Sequence, residues 1–257
     1  YMIQAAEKAG FIKKGDTLIE ATSGNMGIAL SMIGAALGYK IVIVMPDTMS
    51  EERRRIVKAY GAELILTEGK LGMAGAVAKS EELAKAHDYF LIRQFENAAN
   101  LLSHEETTAV EILHDLSGEV DAFVAGVGTG GTISGVGKVL KAHHSNVLNV
   151  AVQPAKSPVL TGGTPAGHGI QGIGANFIPG IYDKDVVDEV LDMDEETAYA
   201  AARELGKKAG LLVGMSSGGN FAAAKVIAKK LGKGKKVVTV LPDTGERYLS
   251  TILFAEE

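Results

Sequence analysis

Ala122-Phe123-Val124-Ala125-Gly126-Val127-Gly128-Thr129-Gly130-Gly131-Thr132 joins an apolar β-rich run to a glycine turn, and from Ile133 to Ala142 the spacing becomes helical. A strand that feeds a helix through so short a turn needs a crossover, and crossovers build parallel sheets. The same rhythm repeats on both sides of this stretch. Upstream, strands are expected at 17–20, 41–45, 63–66 and 89–92, with helices at 26–37, 51–60 and 74–86 between them. Downstream, a strand is expected at 148–152 and another at 237–241, with helices at 195–209 and 220–231; a further helix at 105–116 precedes the opening run. The expected fold is therefore α/β, with two lobes that each carry a mainly parallel twisted sheet flanked by helices. Polar Asn97 and Asn100 bracket Ala98-Ala99 between two periodic series, so the lobe boundary is set at 100/101.

Composition narrows the function. The chain has 257 residues and 46% hydrophobic content, enough to bury large cores. Its 26 Lys and Arg against 31 Asp and Glu give a net charge of -5, and no basic run is long enough to follow a phosphate backbone, so nucleic acid is not an expected partner. No stretch reaches about 18 uninterrupted apolar residues, so no segment is expected to span a bilayer. With no cysteine, disulfides, thiolate metal sites and enzyme-borne thiol nucleophiles are excluded. Any sulfur chemistry must use sulfur from the substrate.

The glycine turn is also where chemistry is expected. Glycines let a backbone approach an anion closely, and the amides at a helix N-terminus bind phosphate with help from the helix dipole. Gly126, Gly128 and Gly131 satisfy the dinucleotide spacing G-x-G-x-x-G, which would make a nicotinamide enzyme. That fingerprint needs an acidic residue at the end of the next strand, and this chain has Gln153 there. Two other turns follow expected strands: Ala21-Thr22-Ser23-Gly24-Asn25-Met26-Gly27 and Leu241-Pro242-Asp243-Thr244-Gly245-Glu246-Arg247-Tyr248. The first offers hydroxyls, an amide and backbone N–H groups suited to a carboxylate, although Thr22 or Ser23 could simply cap the helix. His87, His104, His114, His143, His144 and His168 lack metal-ligand spacing and are expected in surface or core roles. Glu51-Glu52-Arg53-Arg54-Arg55 is expected as a solvated helix face.

Thr22-Ser23-Gly24-Asn25, Gly128-Thr129-Gly130-Gly131-Thr132, Ile170-Gln171-Gly172-Ile173-Gly174-Ala175, Ser216-Ser217-Gly218 and Leu241-Pro242-Asp243-Thr244-Gly245-Glu246-Arg247-Tyr248-Leu249-Ser250-Thr251 occur in one order along the chain. In that order they resemble the motifs of cysteine synthase, O-acetylserine sulfhydrylase, and of the related cystathionine β-synthases. The resemblance implies the tryptophan-synthase β-like fold and pyridoxal 5'-phosphate as cofactor. It implies that the phosphate lies on Gly128, Thr129, Gly130, Gly131 and Thr132, that Asn25 hydrogen-bonds the ring hydroxyl, and that Thr244 faces the ring nitrogen. A neutral hydroxyl there does not enforce a protonated ring, which favours β-elimination over transamination. The amino-acid substrate is implied to bind at Thr22, Ser23, Gly24, Met26, Gln94 and Gly172.

The implied reaction is a β-replacement that forms L-cysteine from O-acetyl-L-serine and sulfide through an α-aminoacrylate. Synthesis of cystathionine, or release of sulfide from cysteine, is the alternative on the same scaffold, and a nicotinamide oxidoreductase is a remote one. The resemblance further implies a cytoplasmic homodimer whose other partners are small molecules. Its Schiff-base lysine, also the general base, is expected about half a dozen residues before Tyr1. The helical spacing of Tyr1-Met2-Ile3-Gln4 begins without a capping residue, as at a cut through a longer chain, and a targeting segment further upstream stays open. Three departures bear on the donor: Met26 stands where Thr is usual, Ala21 where Pro is common, and Gly169 where Lys is common.

Overall fold

The computed structural model describes residues 1–255. It divides into two compact units: Tyr1–Gln94 together with the chain from Arg247 onward, and Phe95–Glu246. Against the division expected at 100/101, residues 95–100 belong with the second unit, and the chain from Arg247 returns to the first.

The first unit holds helix α1 (Met2–Lys8), strand β1 (Thr17–Ala21), α2 (Asn25–Leu37), β2 (Lys40–Pro46), α3 (Glu51–Ala59), β3 (Glu63–Thr67), α4 (Gly72–His87) and β4 (Phe90–Leu91). Its four strands run parallel in the order β3-β2-β1-β4. The central strands are apolar because both faces are covered: Leu18, Ile19, Ile43, Val44 and Met45 are buried. Gly38 ends α2 in the left-handed conformation at φ 82°, a geometry that costs glycine no steric strain. At α3 the expectation of a solvated face fails for one residue. Arg53 is fully buried. Its Nη1 donates to the Ser23 carbonyl at 2.8 Å and its Nη2 to the Tyr248 hydroxyl at 2.8 Å, while the guanidinium sits 5.3 Å from the centre of the Tyr248 ring.

The second unit holds α5 (Ala98–Ser103), a π-helical turn (His104–Thr108), α6 (Ala109–Asp115), β5 (Ala122–Gly126), α7 (Gly131–His143), β6 (Leu148–Pro154), β7 (Glu189–Met193), α8 (Glu195–Ala209), α9 (Met215–Leu231) and β8 (Val237–Thr239). Its strands are parallel in the order β7-β6-β5-β8. Phe123, Ala125, Ile133, Val136, Leu140 and Ala151 form the core between β5, β6 and α7. Asp194 caps α8 by accepting from the Thr197 N–H at 2.7 Å, and Gly210 closes that helix at φ 69°. Strand β7 is absent from the expected set, and α9 begins at Met215 rather than at residue 220.

Candidate active site

Parallel sheets bind ligands beyond the carboxyl ends of their strands, where the strand order reverses. In the first unit that point lies between β1 and β4, and in the second between β5 and β8. The expected carboxylate turn follows β1, and the expected phosphate turn follows β5. Each stands at the reversal of its own sheet.

In the first unit Thr22 is buried and its backbone N–H bonds the Val44 carbonyl at 2.9 Å, continuing β1 past its end. Neither Thr22 nor Ser23 caps α2. The N-cap is Gly24, with no side-chain cap, and the Thr22 Oγ1 accepts instead from the Gly24 N–H at 3.1 Å. No acidic residue occupies the first turn of α2, so its amide end carries no built-in counter-charge. The turn is braced from below by Arg53 at the Ser23 carbonyl and from the side by Arg247, whose Nη1 donates to Asn25 Oδ1 at 2.7 Å. Met26 is half-buried in the first turn of α2. Gln94 is buried, and its Nε2 donates to the Ala21 carbonyl at 2.6 Å. The structure thus brings Gln94 to the base of the turn that holds Thr22, Ser23, Gly24, Asn25 and Met26.

One buried acid beside this turn has no place in the expected site. Glu20, the residue before Ala21, is 2% exposed. Burial pushes its carboxyl up to about 8, opposed by hydrogen bonds from the Gln94 and Arg93 backbone, the Gln94 side chain and the Ala21 backbone. In sequence Glu20 is only the last residue of the strand expected at 17–20. Its burial fits a central strand with helix α4 packed against it.

In the second unit the turn after β5 is shaped by close approach. A Cβ on Gly128 would stand 2.7 Å from the Gly172 carbonyl oxygen, and one on Gly130, at φ 87°, would stand 2.9 Å from Cα of Tyr182. Gly131 lies against the Asn100 side chain. Asn220 pins the strand ends: its Oδ1 accepts from the Gly126 N–H at 2.7 Å and its Nδ2 donates to the Val240 carbonyl at 2.9 Å. The Gly174 N–H bonds the Val127 carbonyl at 2.8 Å, which ties the 170–174 loop to the turn.

The hydroxyls of this turn are set from behind. Thr129 Oγ1 accepts from Asn100 Nδ2 at 2.9 Å and from the Gly131 N–H at 3.3 Å, so its own proton is directed elsewhere as a donor. Thr132 Oγ1 lies 3.2 Å from His104 Nε2, and His104 Nδ1 lies 3.0 Å from Thr108 Oγ1. Burial holds the His104 imidazole below its ordinary value. His104 therefore has a defined post behind the turn, beyond the surface or core role expected for it. Helix α7 starts without a side-chain cap and without an acidic residue in its first turn. A glycine cradle, two oriented hydroxyls and a bare helix N-terminus fit a phosphate group.

Thr244 is exposed and bridges Val213 through the backbone. Ser216 and Ser217, in the first turn of α9, are buried; a Cβ on Gly172, at φ 100°, would stand 3.3 Å from Ser216 Oγ. Ser217 Oγ finds no hydrogen-bond partner among the described residues. This pair of hydroxyls received no role in the expected site, although its motif was legible. Gln153 is engaged three times, by Thr161 Oγ1 at 3.0 Å, Asp192 Oδ1 at 2.9 Å and the Leu160 N–H at 2.8 Å. It is a structural amide, which removes the ribose contact a dinucleotide site would need. Among the described residues no cluster of His, Cys, Asp and Glu could hold a metal, and no helix is long and apolar enough to cross a membrane.

Known proteins resemble this chain over nearly its whole length. The chain is 54% identical over 255 residues to cysteine synthase of Staphylococcus aureus, covering 99% of this chain and 82% of that one. Its fold matches a cysteine synthase structure from Entamoeba histolytica with TM-score 0.93 and 46% identity, covering 100% of this chain and 76% of that one. It also matches a hydrogen sulfide-producing enzyme from Fusobacterium nucleatum with TM-score 0.94 and 48% identity, covering 96% and 84%. The model of the pyridoxal-phosphate dependent enzymes matches residues 1–243, and with likenesses that run nearly end to end the chain belongs to that family.

Proposed function

We propose that the protein catalyses a β-replacement that forms L-cysteine from O-acetyl-L-serine and sulfide. The observation that carries this is the 54% identity to a cysteine synthase over nearly the whole chain. When bound, pyridoxal phosphate supplies the electron sink that lets the substrate lose its Cα proton and its β-substituent. This chain's residues bind and orient. The amides and hydroxyls of Gly128, Thr129, Gly130, Gly131 and Thr132 hold the phosphate. Asn25 donates to the ring hydroxyl. Thr244 offers a neutral hydroxyl to the ring nitrogen, and the buried Ser216–Ser217 pair is a second source of one. Thr22, Ser23, Gly24, Met26 and Gln94 receive the substrate carboxylate, with Gly172 lining the substrate's path. The covalent lysine is assigned to none of the lysines from Lys8 to Lys236.

The same reading takes the enzyme as a cytoplasmic homodimer with an amino acid and sulfide or a thiol as its small-molecule partners, and light scattering checks its mass. A second reading, release of sulfide from cysteine, is supported by the likeness to the Fusobacterium enzyme. The deciding experiment offers the holoenzyme O-acetylserine, serine or cysteine as donor and sulfide or homocysteine as acceptor. Cysteine from O-acetylserine and sulfide should dominate the products. Faster formation of cystathionine, or of sulfide from cysteine, would replace this assignment.

A further inference from the structure

Strand β4 ends at Leu91, and the chain then turns a corner at Arg93, which adopts φ 59°. That left-handed conformation is unfavourable for an arginine and persists only where surrounding contacts hold it. Glu20 supplies such contacts. Its Oε2 accepts from the Gln94 N–H at 3.3 Å, and the Arg93 backbone and the Gln94 side chain also hydrogen-bond its carboxyl group. Gln94 is at the same time held to the Ala21 carbonyl at 2.6 Å. One side chain thus grips two successive residues of the corner and the amide that follows from it.

We propose that Glu20 is the positioning residue of the substrate-carboxylate turn: by gripping the Arg93–Gln94 corner it fixes the Gln94 side chain at the base of the loop formed by Thr22, Ser23 and Gly24. This rests on the carboxylate role proposed for that loop. Glu20 itself touches neither substrate nor cofactor.

The surroundings of Glu20 make the grip sensitive to its charge. Ile43 of β2 stands beside it in register, and α4, whose buried residues are Met73, Ala76 and Ser80, packs on β1. The charged groups of these neighbouring elements are Lys40 on β2 and Lys79, Glu81, Glu82, Lys85 and His87 on α4; Lys79 pairs with Glu82 at 2.6 Å, and Glu81 faces Arg93 of the corner at 3.7 Å with half their side chains exposed. Burial without a close cation keeps Glu20 protonated through the neutral range, with ionisation near 8. Once ionised, it sets a negative charge two residues from Thr22, where a substrate carboxylate is to bind. Donor affinity should then fall as pH rises past that point.

The test uses Glu20→Gln, which keeps the shape and one accepting oxygen without the charge, and Glu20→Ala, which removes the grip. In the holoenzyme Glu20→Ala should raise KM for O-acetylserine about tenfold with kcat within about twofold, as expected for lost ground-state positioning. Glu20→Gln should stay within about threefold of the parent at pH 7 and lose the rise in KM above about pH 8. A Gln variant that keeps the alkaline rise, or a folded Ala variant with the parent's KM, overturns the proposal; if Glu20→Ala does not fold, the alkaline limb of Glu20→Gln decides alone.

Two measurements stand apart from turnover. Binding of glycine, an amino acid without a leaving group, is followed through the cofactor's absorbance. If O-acetylserine is not turned over while glycine affinity still depends on Glu20, the donor assignment fails and the positioning role stands. If turnover is intact and glycine affinity ignores Glu20, the positioning role falls. Unfolding of the cofactor-free protein gives the second measurement. A carboxyl raised from 4.5 to about 8 contributes stability that is full below 4.5 and is lost as pH climbs through about 8. The parent should lose stability relative to Glu20→Gln across that window, and parallel curves overturn the buried neutral acid.

Discussion

Arg247 Nη1 donates to Asn25 Oδ1 across 2.7 Å, so the acceptor of the Asn25 amide is turned toward the guanidinium. Arginine has only donors, which fixes the amide's orientation and means that whatever Asn25 gives a ligand comes from its N–H bonds. That polarity suits an anionic ring oxygen. Arg247→Met should weaken cofactor binding about tenfold, the size of one well-placed hydrogen bond's orientation. Asn25→Asp should weaken it more, because it replaces the donor with an acceptor that Arg247 will hold as an ion pair. Equilibrium titration of the cofactor-free variants with pyridoxal phosphate checks both. Parental affinity in Arg247→Met would remove the orienting role.

Gly130 combines φ 87° with Tyr182 packed where its Cβ would be. Gly130→Ala should destabilise the protein by roughly 1–2 kcal/mol from backbone strain, before any count of the Tyr182 clash. Gly130→Asp should suffer the same strain and also abolish cofactor binding, since it would put a negative charge into the turn that is to hold the phosphate. The comparison separates shape from charge: chemical denaturation should rank the two variants alike, and cofactor titration should not. A Gly130→Asp protein that binds the cofactor would move the phosphate away from this turn.

His104 predicts a pH dependence of opposite sign to that of Glu20. Burial lowers the folded imidazole's value, so the unfolded chain takes up a proton that the folded chain refuses. Its contribution is present above the ordinary value of 6.5 and is lost as pH falls below it. The parent should therefore lose stability faster than His104→Gln on moving from pH 7 to about 5. Thr132, 3.2 Å from Nε2, should lose its oriented hydroxyl in that variant, so phosphate affinity should also drop several-fold. Parallel stability curves for parent and variant would mean that folding does not lower the His104 imidazole's value.

The strand and helix alternation was legible because buried parallel strands such as β2 and β5 read as unbroken apolar runs. Strand β7 escaped because Glu189 and Asp192 interrupt it, as an edge position permits. The glycine turn was legible for a local reason: close backbone approach demands glycine wherever it occurs. What braces the turns was not. Arg53 sits among charged neighbours, and only the return of the chain at Tyr248 turns it into a buried cation. Glu20 and Gln94 are 74 residues apart, and their pairing exists only because β4 lies next to β1. Asn100, His104 and Asn220 likewise act across long sequence separations, where no spacing rule operates.

Met26 stands where Thr is usual, and we propose that it tunes the choice of substrate. It occupies the first turn of α2, half-buried, in a loop whose Thr22 hydroxyl already accepts from Gly24 and whose Gly27 lies so close that a Cβ there would stand 2.8 Å from Thr22 Cγ2. The loop is thus tightly formed without a hydroxyl at Met26, and a thioether cannot donate to a carboxylate. A hydrogen bond to a charged group contributes roughly 1.5–3 kcal/mol, so Met26→Thr should tighten O-acetylserine by about one to two orders of magnitude. The gain should appear in KM with little change in kcat, because the carboxylate is bound equally before and after the chemical step. Larger donors should gain less, since Thr also removes the flexible chain that can pack against them. Steady-state kinetics of Met26→Thr with O-acetylserine, serine and cysteine checks this. If every donor behaves the same in parent and variant, the backbone N–H groups of this turn satisfy the carboxylate by themselves, and Met26 plays no part in choosing the substrate.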